Sequence, residues 1–309
     1  MATVSRVVPA RIRVTNFSPL GLSLSLPKTA VMKKSILYFA VFIIVNIIVS
    51  YGGQGIVTLI YGQDYQTTIP QLLIMSAVNS VAVLSLFIAL KWYPISREYI
   101  RTRPWGTFFW VALLALGSII PLAWLEGLIP DELTKDLVGD VLARMLGTPE
   151  GYFVICMLAP LTEEVVFRGA IIRGIVEWGK GRRQAHIDSG NGAAAEALSD
   201  TKIQWVAIVI SAVLFAVAHL NPAQAPHALI VGVLLGWLFV RTGSIVPGFL
   251  FHWINNSAAY AMVKLFPSIP ADAALADYFG GNTAAMYQAV GSSLLIALPA
   301  LYQLAVRRR

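Results

Sequence analysis

Long apolar runs separated by short polar stretches set the plan of this chain. About eight of them are long enough to cross about 30 Å of hydrocarbon at about 1.5 Å per helical residue. The first runs from Ser35 to Tyr51 and continues past Gly52 and Gly53 to Tyr61; the second spans Ile69 to Tyr93 and the third Trp105 to Leu125. The fourth covers Gly151 to Trp178, the fifth Ile203 to Leu220, the sixth His227 to Val240, the seventh Ile245 to Phe266 and the eighth Ala284 to Val306. In lipid a segment must satisfy its own backbone N–H and C=O groups, which leaves helices for runs of this length. The pattern therefore predicts an all-α, polytopic membrane helix bundle.

Composition agrees and adds orientation. Of 309 residues, 57% are hydrophobic and 13% charged, against about 25% charged in a soluble domain, and the mean hydropathy is +0.70. The net charge of +7 is no nucleic-acid signal, because the basic residues gather in short loops. Lys33 and Lys34 precede the first run, Lys91, Arg97, Arg101 and Arg103 follow the second, and Lys180, Arg182 and Arg183 follow the fourth; Arg241 follows the sixth and Arg307 to Arg309 close the chain. The alternate loops are acidic or neutral, as with Glu126, Asp131, Glu132, Asp136 and Asp140. Positive loops stay cytoplasmic, which puts both termini in the cytoplasm, with a bacterial plasma membrane as the expected location. Residues 1–34 form a basic segment that reads either as transit-like or as an over-extended start before Met32-Lys33-Lys34, and 35–309 form the transmembrane domain. The stretch from Gly179 to Thr201, rich in Gly, Ala and Ser, predicts a mobile insertion. Cys156 is the single cysteine, which excludes an intrachain disulfide and any Cys-based metal site.

Polar groups inside apolar runs carry the chemistry. The fourth run holds Glu163, Glu164 and Arg168, and a charge near the centre of a membrane helix costs about 2.5–3.5 kcal/mol on insertion scales. Glu164 and Arg168 are four apart and share a helical face; Glu163 points about 100° away and is left without a partner. His219 closes the fifth run, and His252 with Asn256 one turn further on lies in the seventh. His186 and His227 sit in a loop and at a run's edge, where an imidazole is easily hydrated. Asn46 and Asn79 read as interhelical hydrogen bonding, and Gly232 with Gly236 as close helix packing. A glutamate in a partly dry cavity can act as a general base on water, a histidine can orient that water, and a second histidine with a carboxamide can hold an oxyanion. These are the parts of an amide-bond hydrolase with water as the nucleophile; no serine or cysteine occupies a nucleophile motif and H-E-x-x-H is absent.

The three motifs Glu163-Glu164-x-x-x-Arg168, Phe215-x-x-x-His219 and His252-x-x-x-Asn256, with Arg241-Thr242-Gly243-Ser244 ahead of the third, resemble those of the CPBP family of CAAX proteases and bacteriocin-processing enzymes, the abortive-infection type. The resemblance covers about 150–260 as the catalytic core. It implies an intramembrane endopeptidase of about eight spans, acting on a peptide or protein substrate in membrane lipid, such as a prenylated CAAX peptide or a leader peptide. Carried over, Glu163 activates water with help from His219, His252 and Asn256 bind the oxyanion, and Glu164 and Arg168 position the motif helix. No cofactor is firmly implied; Glu163, His219 and His252 are also a conceivable Zn²⁺ set, so the residues leave a glutamate and a metal mechanism both open. Two other readings compete: a non-catalytic scaffold or regulatory protein that binds a partner in the same cavity, and a proton-coupled transporter. Straight crossings place Glu163 mid-span, His219 near the outer end and His252 nearer the inner end. Convergence therefore requires helices that are offset in depth, tilted or ending inside the bundle.

Overall fold

The computed structural model describes residues 30–63, 66–93, 104–133, 135–270 and 273–306. Residues 1–29, the arginines at 97, 101 and 103 and those at 307–309 lie outside the described residues, and with them most of the basic N-terminal segment. Among the described residues every regular element is helical. The long rods follow the apolar runs closely: α1 is Ala30–Tyr61, α2 Ile69–Ala89 and α3 Trp105–Glu126, followed by the short α4, Gly139–Leu146. A composite rod, α5, covers 149–188, and the short α6, Gly192–Ala197, follows it. The remaining rods are α7 (Asp200–Ala218), α8 (Ala225–Thr242), α9 (Val246–Leu265) and α10 (Thr283–Val306).

Six rods are long and apolar enough to cross a membrane by composition: α1 from Lys34, α2, α3, α7, α8 and α10. The two further long helices, α5 and α9, carry Glu163, Glu164 and Arg168 and His252, Asn255 and Asn256 respectively. The chemistry-bearing groups themselves dilute the apolar signal there, and burial in the bundle compensates for it. Lipid-type residues such as Leu59 and Leu295 line the outside, with 87% and 78% of their surface uncovered, an exposure that only a hydrocarbon solvent favours.

Close helix packing follows small residues. A Cβ on Gly117 of α3 would lie 2.7 Å from the Ala297 backbone nitrogen of α10, and one on Gly232 of α8 would lie 3.0 Å from Ala212 Cα of α7. This is the small-residue contact that membrane helices use where no hydrophobic drive separates helix from lipid. The Gly232/Gly236 reading holds, and so does the amide pair, since Asn79 donates to Asn46 Oδ1 at 2.6 Å between α2 and α1. One apolar core joins α1, α2, the centre of α5 and α7, and a second joins α3, α8, α9 and α10. The stretch expected as a mobile insertion is helical instead: α5 runs on to Asp188, anchored where Gly179 meets Ile203 of α7, and Asn191 caps α6 by accepting from the Ala194 N–H. Small residues lowered the apolar signal there without removing helix propensity, Ala being the best helix former.

The rods do not end at one level. His227 is the third residue of α8, yet its Nε2 meets the Asn255 amide at 2.9 Å, and Asn255 lies midway along α9. The turn between α7 and α8 is therefore sunk to the middle of α9. About 15 Å of α9 rises past it, at about 1.5 Å per residue for 256–265. There α9 leans on the start of α5, with Tyr152 against Tyr260 and the Trp253 indole N–H donating to the Tyr152 hydroxyl at 3.0 Å. The segment after α3 folds over the turn: buried Asn221 accepts from the Leu137 N–H at 3.1 Å and donates to Asp136 at 2.9 Å.

Candidate active site

The α5 rod is not uniform. It is π-helical over Tyr152–Leu158, α-helical over Ala159–Glu163 and π-helical again over Glu164–Ile172. Wide turns of this kind are rare and cluster at functional sites. Here the second change of pitch falls between the two glutamates, so it sets the angle between them. Pro160 contributes to the break at the first: it has no N–H, so the Ile155 carbonyl lacks the donor that an i to i−5 ladder would supply. Asn256 of α9 fills the gap, donating to Ile155 O at 3.1 Å, while its own backbone carbonyl accepts from Cys156 Sγ at 3.3 Å. A carboxamide carries two N–H groups, so the second remains available for a substrate oxygen.

Glu164 and Arg168 are both fully buried with Nη1 and Oε1 3.0 Å apart, as their spacing predicts. Arg168 also donates from Nη2 to the Gly232 carbonyl at 3.4 Å, and its guanidinium lies 4.5 Å from the Phe215 ring centroid. Glu164 is pressed from the other side by Gly248, where a Cβ would come within 2.7 Å of Oε2. Neither Glu164 oxygen has an aligned hydrogen-bond partner, nor do Arg168 Nε and Nη1 or His252 Nδ1. Opposite charge at short range, not hydrogen-bond geometry, holds this cluster.

His252 lies between the carboxylates. Nδ1 is 3.4 Å from Glu164 Oε1 and Nε2 is 3.5 Å from Glu163 Oε2, with the Glu163 side chain 23% exposed and that of His252 6%. Glu163, expected to lack a partner, thus has one from α9.

His219 caps the end of α7. Its Nδ1 is 2.8 Å from the Phe215 carbonyl; a carbonyl only accepts, so Nδ1 carries the proton and Nε2 presents a lone pair in the neutral ring. Phe215 is the wall shared by the two imidazoles, its ring centre 4.8 Å from that of His219 and 5.7 Å from that of His252, edge-on to both. The chain after His219 turns through Leu220 at a φ of 50°, a left-handed conformation that costs a branched residue about 1–2 kcal/mol. Motifs one and three meet through Glu163, Glu164 and His252, whereas motif two joins them through an aromatic ring. Among the described residues no group of three or more His, Cys, Asp or Glu side chains is arranged to hold a metal. His219 commits Nδ1 to a carbonyl and Glu164 is bound up with Arg168.

Three features escaped the reading of the sequence. Gly248 sits one turn before His252, and its i−4 spacing was the available signal. The Pro160–Ile155 gap was legible as a proline five residues beyond a carbonyl. The third, Glu126 and Asn255 on either side of half-buried His227, was not: His227 Nδ1 contacts Glu126 Oε1 and its Nε2 meets Asn255. These three residues come from α3, α8 and α9, and only the sunken turn brings them together.

A bundle of long apolar helices with acid, imidazole and guanidinium groups buried at its centre defines a polytopic membrane protein with a polar core. Residues 148–258 match the family model described as type II CAAX prenyl endopeptidase Rce1-like, and over that stretch the chain is similar to that family. The match begins at the N-cap of α5 and ends within α9, enclosing all three motifs. No curated protein and no solved structure matches the chain.

Proposed function

We propose that the protein is an intramembrane endopeptidase of the CAAX-protease type, in which Glu163 is the base that activates water. The observation that carries this reading is the Glu163–His252–Glu164–Arg168 chain, a partly exposed carboxylate backed by a buried imidazole and a buried ion pair. Water set between Glu163 and His219 Nε2 loses a proton to Glu163 as its oxygen adds to the scissile carbonyl carbon. His252 Nε2–H and the second Asn256 N–H donate to the resulting oxyanion, the kind of contact typically worth several kcal/mol in the transition state. Glu163 then returns the proton to the leaving amide nitrogen as the C–N bond breaks, so one water is consumed and one acid and one amine are released. Glu164 and Arg168 act through His252, fixing its ring between the carboxylates. Among the described residues the His and Glu side chains do not assemble the three-ligand arrangement of a catalytic zinc site.

The test is Glu163→Gln, which keeps the shape and removes the base. The variant is expected to insert and purify like wild type and to cleave no reporter peptide in detergent. Wild-type turnover by that variant would dismiss Glu163 as the base.

A further inference from the structure

The route from Glu163 to water is one-sided. Toward the end of the bundle where α5 and α8 finish, the polar centre is sealed by Arg168, Phe167, Ile171, Ile172, Leu235 and Leu238, each less than 2% exposed. Glu163 itself keeps 23% of its side chain exposed, and at the other end the sunken α7–α8 turn holds His219 and a 75% exposed Leu220.

Charge distinguishes the same two ends. With Glu177, Asp188, Glu196 and Asp200 as the acids there, Lys34, Lys91, Lys180, Arg182, Arg183 and Arg241 all lie at the sealed end. Their common level is set by contacts there, with Gly179 against Ile203, Arg173 donating to the Trp92 carbonyl at 2.8 Å, and Arg241 donating to the Leu304 carbonyl at 3.2 Å. The open end carries Lys135, Arg144 and Lys264 together with Glu126, Glu132, Asp136, Asp140 and Glu150. Basic loops remain on the side from which a membrane protein is inserted.

We propose that the catalytic cavity is reached from the face opposite the basic loops, so that its substrate is a polypeptide segment presented on the non-cytoplasmic side, in an exported or membrane-anchored chain. This rests on the hydrolase reading of the cavity and names the side that supplies it. A modified C-terminus held in the cytoplasm would meet the sealed end. A segment already moved across the membrane meets Glu163 directly, and the reaction that supplies the substrate is then translocation.

Two exposed lysines report the two ends: Lys135, beside the open cavity, and Lys202, at the first turn of α7. Lys135→Cys and Lys202→Cys are each treated with a membrane-impermeant maleimide on sealed spheroplasts, then after permeabilisation. Wild type, whose Cys156 is fully buried, supplies the blank. Lys135→Cys is expected to label before permeabilisation and Lys202→Cys only after it; the reverse, or equal labelling of both beforehand, overturns the inference. A second arm separates this from the hydrolase reading. Solubilised wild type that cleaves a peptide which Glu163→Gln spares establishes hydrolysis whatever the orientation. The same impermeant peptide, offered to sealed right-side-out vesicles, is expected to be cleaved outside; cleavage only when it is loaded inside overturns the inference and leaves hydrolysis standing. Absence of cleavage by solubilised wild type removes the hydrolase reading, and the inference with it.

Discussion

Removing the Arg168 guanidinium while keeping its length, as in Arg168→Met, leaves Glu164 as a carboxylate with no exposed surface and only the His252 ring beside it. The two charged atoms are 3.0 Å apart with neither side chain exposed, so at an effective dielectric of about 20 their attraction is about 5 kcal/mol. Desolvation cancels much of that in the intact pair, but it does not cancel in the single variant, where breaking a buried pair typically costs about 3–5 kcal/mol. A mixed-micelle unfolding titration should therefore show Arg168→Met less stable than wild type by about that amount. The double variant Glu164→Gln/Arg168→Met should recover most of the loss, because no unpaired charge remains. Activity should not recover with it, since His252 then lacks the carboxylate that faces Nδ1 at 3.4 Å. A single variant within about 1 kcal/mol of wild type, or a double variant no more stable than the single, would refute the argument that uncompensated charge governs this site.

Further outcomes follow from neighbouring groups. Gly248→Ala places a methyl 2.7 Å from Glu164 Oε2; overpacking of this kind costs about 1–3 kcal/mol, and turnover should fall with stability, read by peptide cleavage and the same titration. Pro160→Ala returns an N–H that competes with Asn256 for the Ile155 carbonyl, so kcat should fall while stability holds or rises; unchanged kcat would mean that the Asn256–Ile155 contact does not orient the amide. Asp136 lies outside the spans, and although burial pushes its carboxyl upward, the Val138 N–H, the Asn221 amide and the Gly139 and Leu137 N–H groups outweigh it and hold it below its ordinary value. A depressed acid stabilises the fold above its unfolded value of about 3.9 and loses that contribution as pH falls through the folded value. Hydrogen exchange over 135–138 should accordingly accelerate only below about pH 4 in wild type, and Asp136→Asn should remove that pH dependence.

Much of this protein was legible before any coordinate. Each long rod begins and ends within a few residues of its apolar run, apart from α5, which continues ten residues past Trp178, because lipid forces the backbone of each crossing to bond within itself. The Glu164–Arg168 contact was legible for a similar reason: it is local, a matter of four residues along one rod. The depth mismatch among Glu163, His219 and His252 was legible as a problem. The resolution itself was not legible, because no local pattern records that the α7–α8 turn stops midway along α9.

Sequence by itself determined that the chain is a bundle of apolar helical rods, the residues too polar to face lipid and the partner of each charge within one helix, all of them consequences of one segment meeting its solvent. Only the tertiary structure decided that His252 stands between both carboxylates, that Phe215 separates the two imidazoles, that Asn256 occupies the carbonyl Pro160 leaves open, and that Glu164 and Arg168 are fully buried while Glu163 is not. Those outcomes depend on the relative depth and rotation of separate rods. In a bilayer the fine fit of one rod against the next is set by side-chain packing between helices, since lipid tails are as apolar as the side chains that face them and supply no hydrophobic drive between rods.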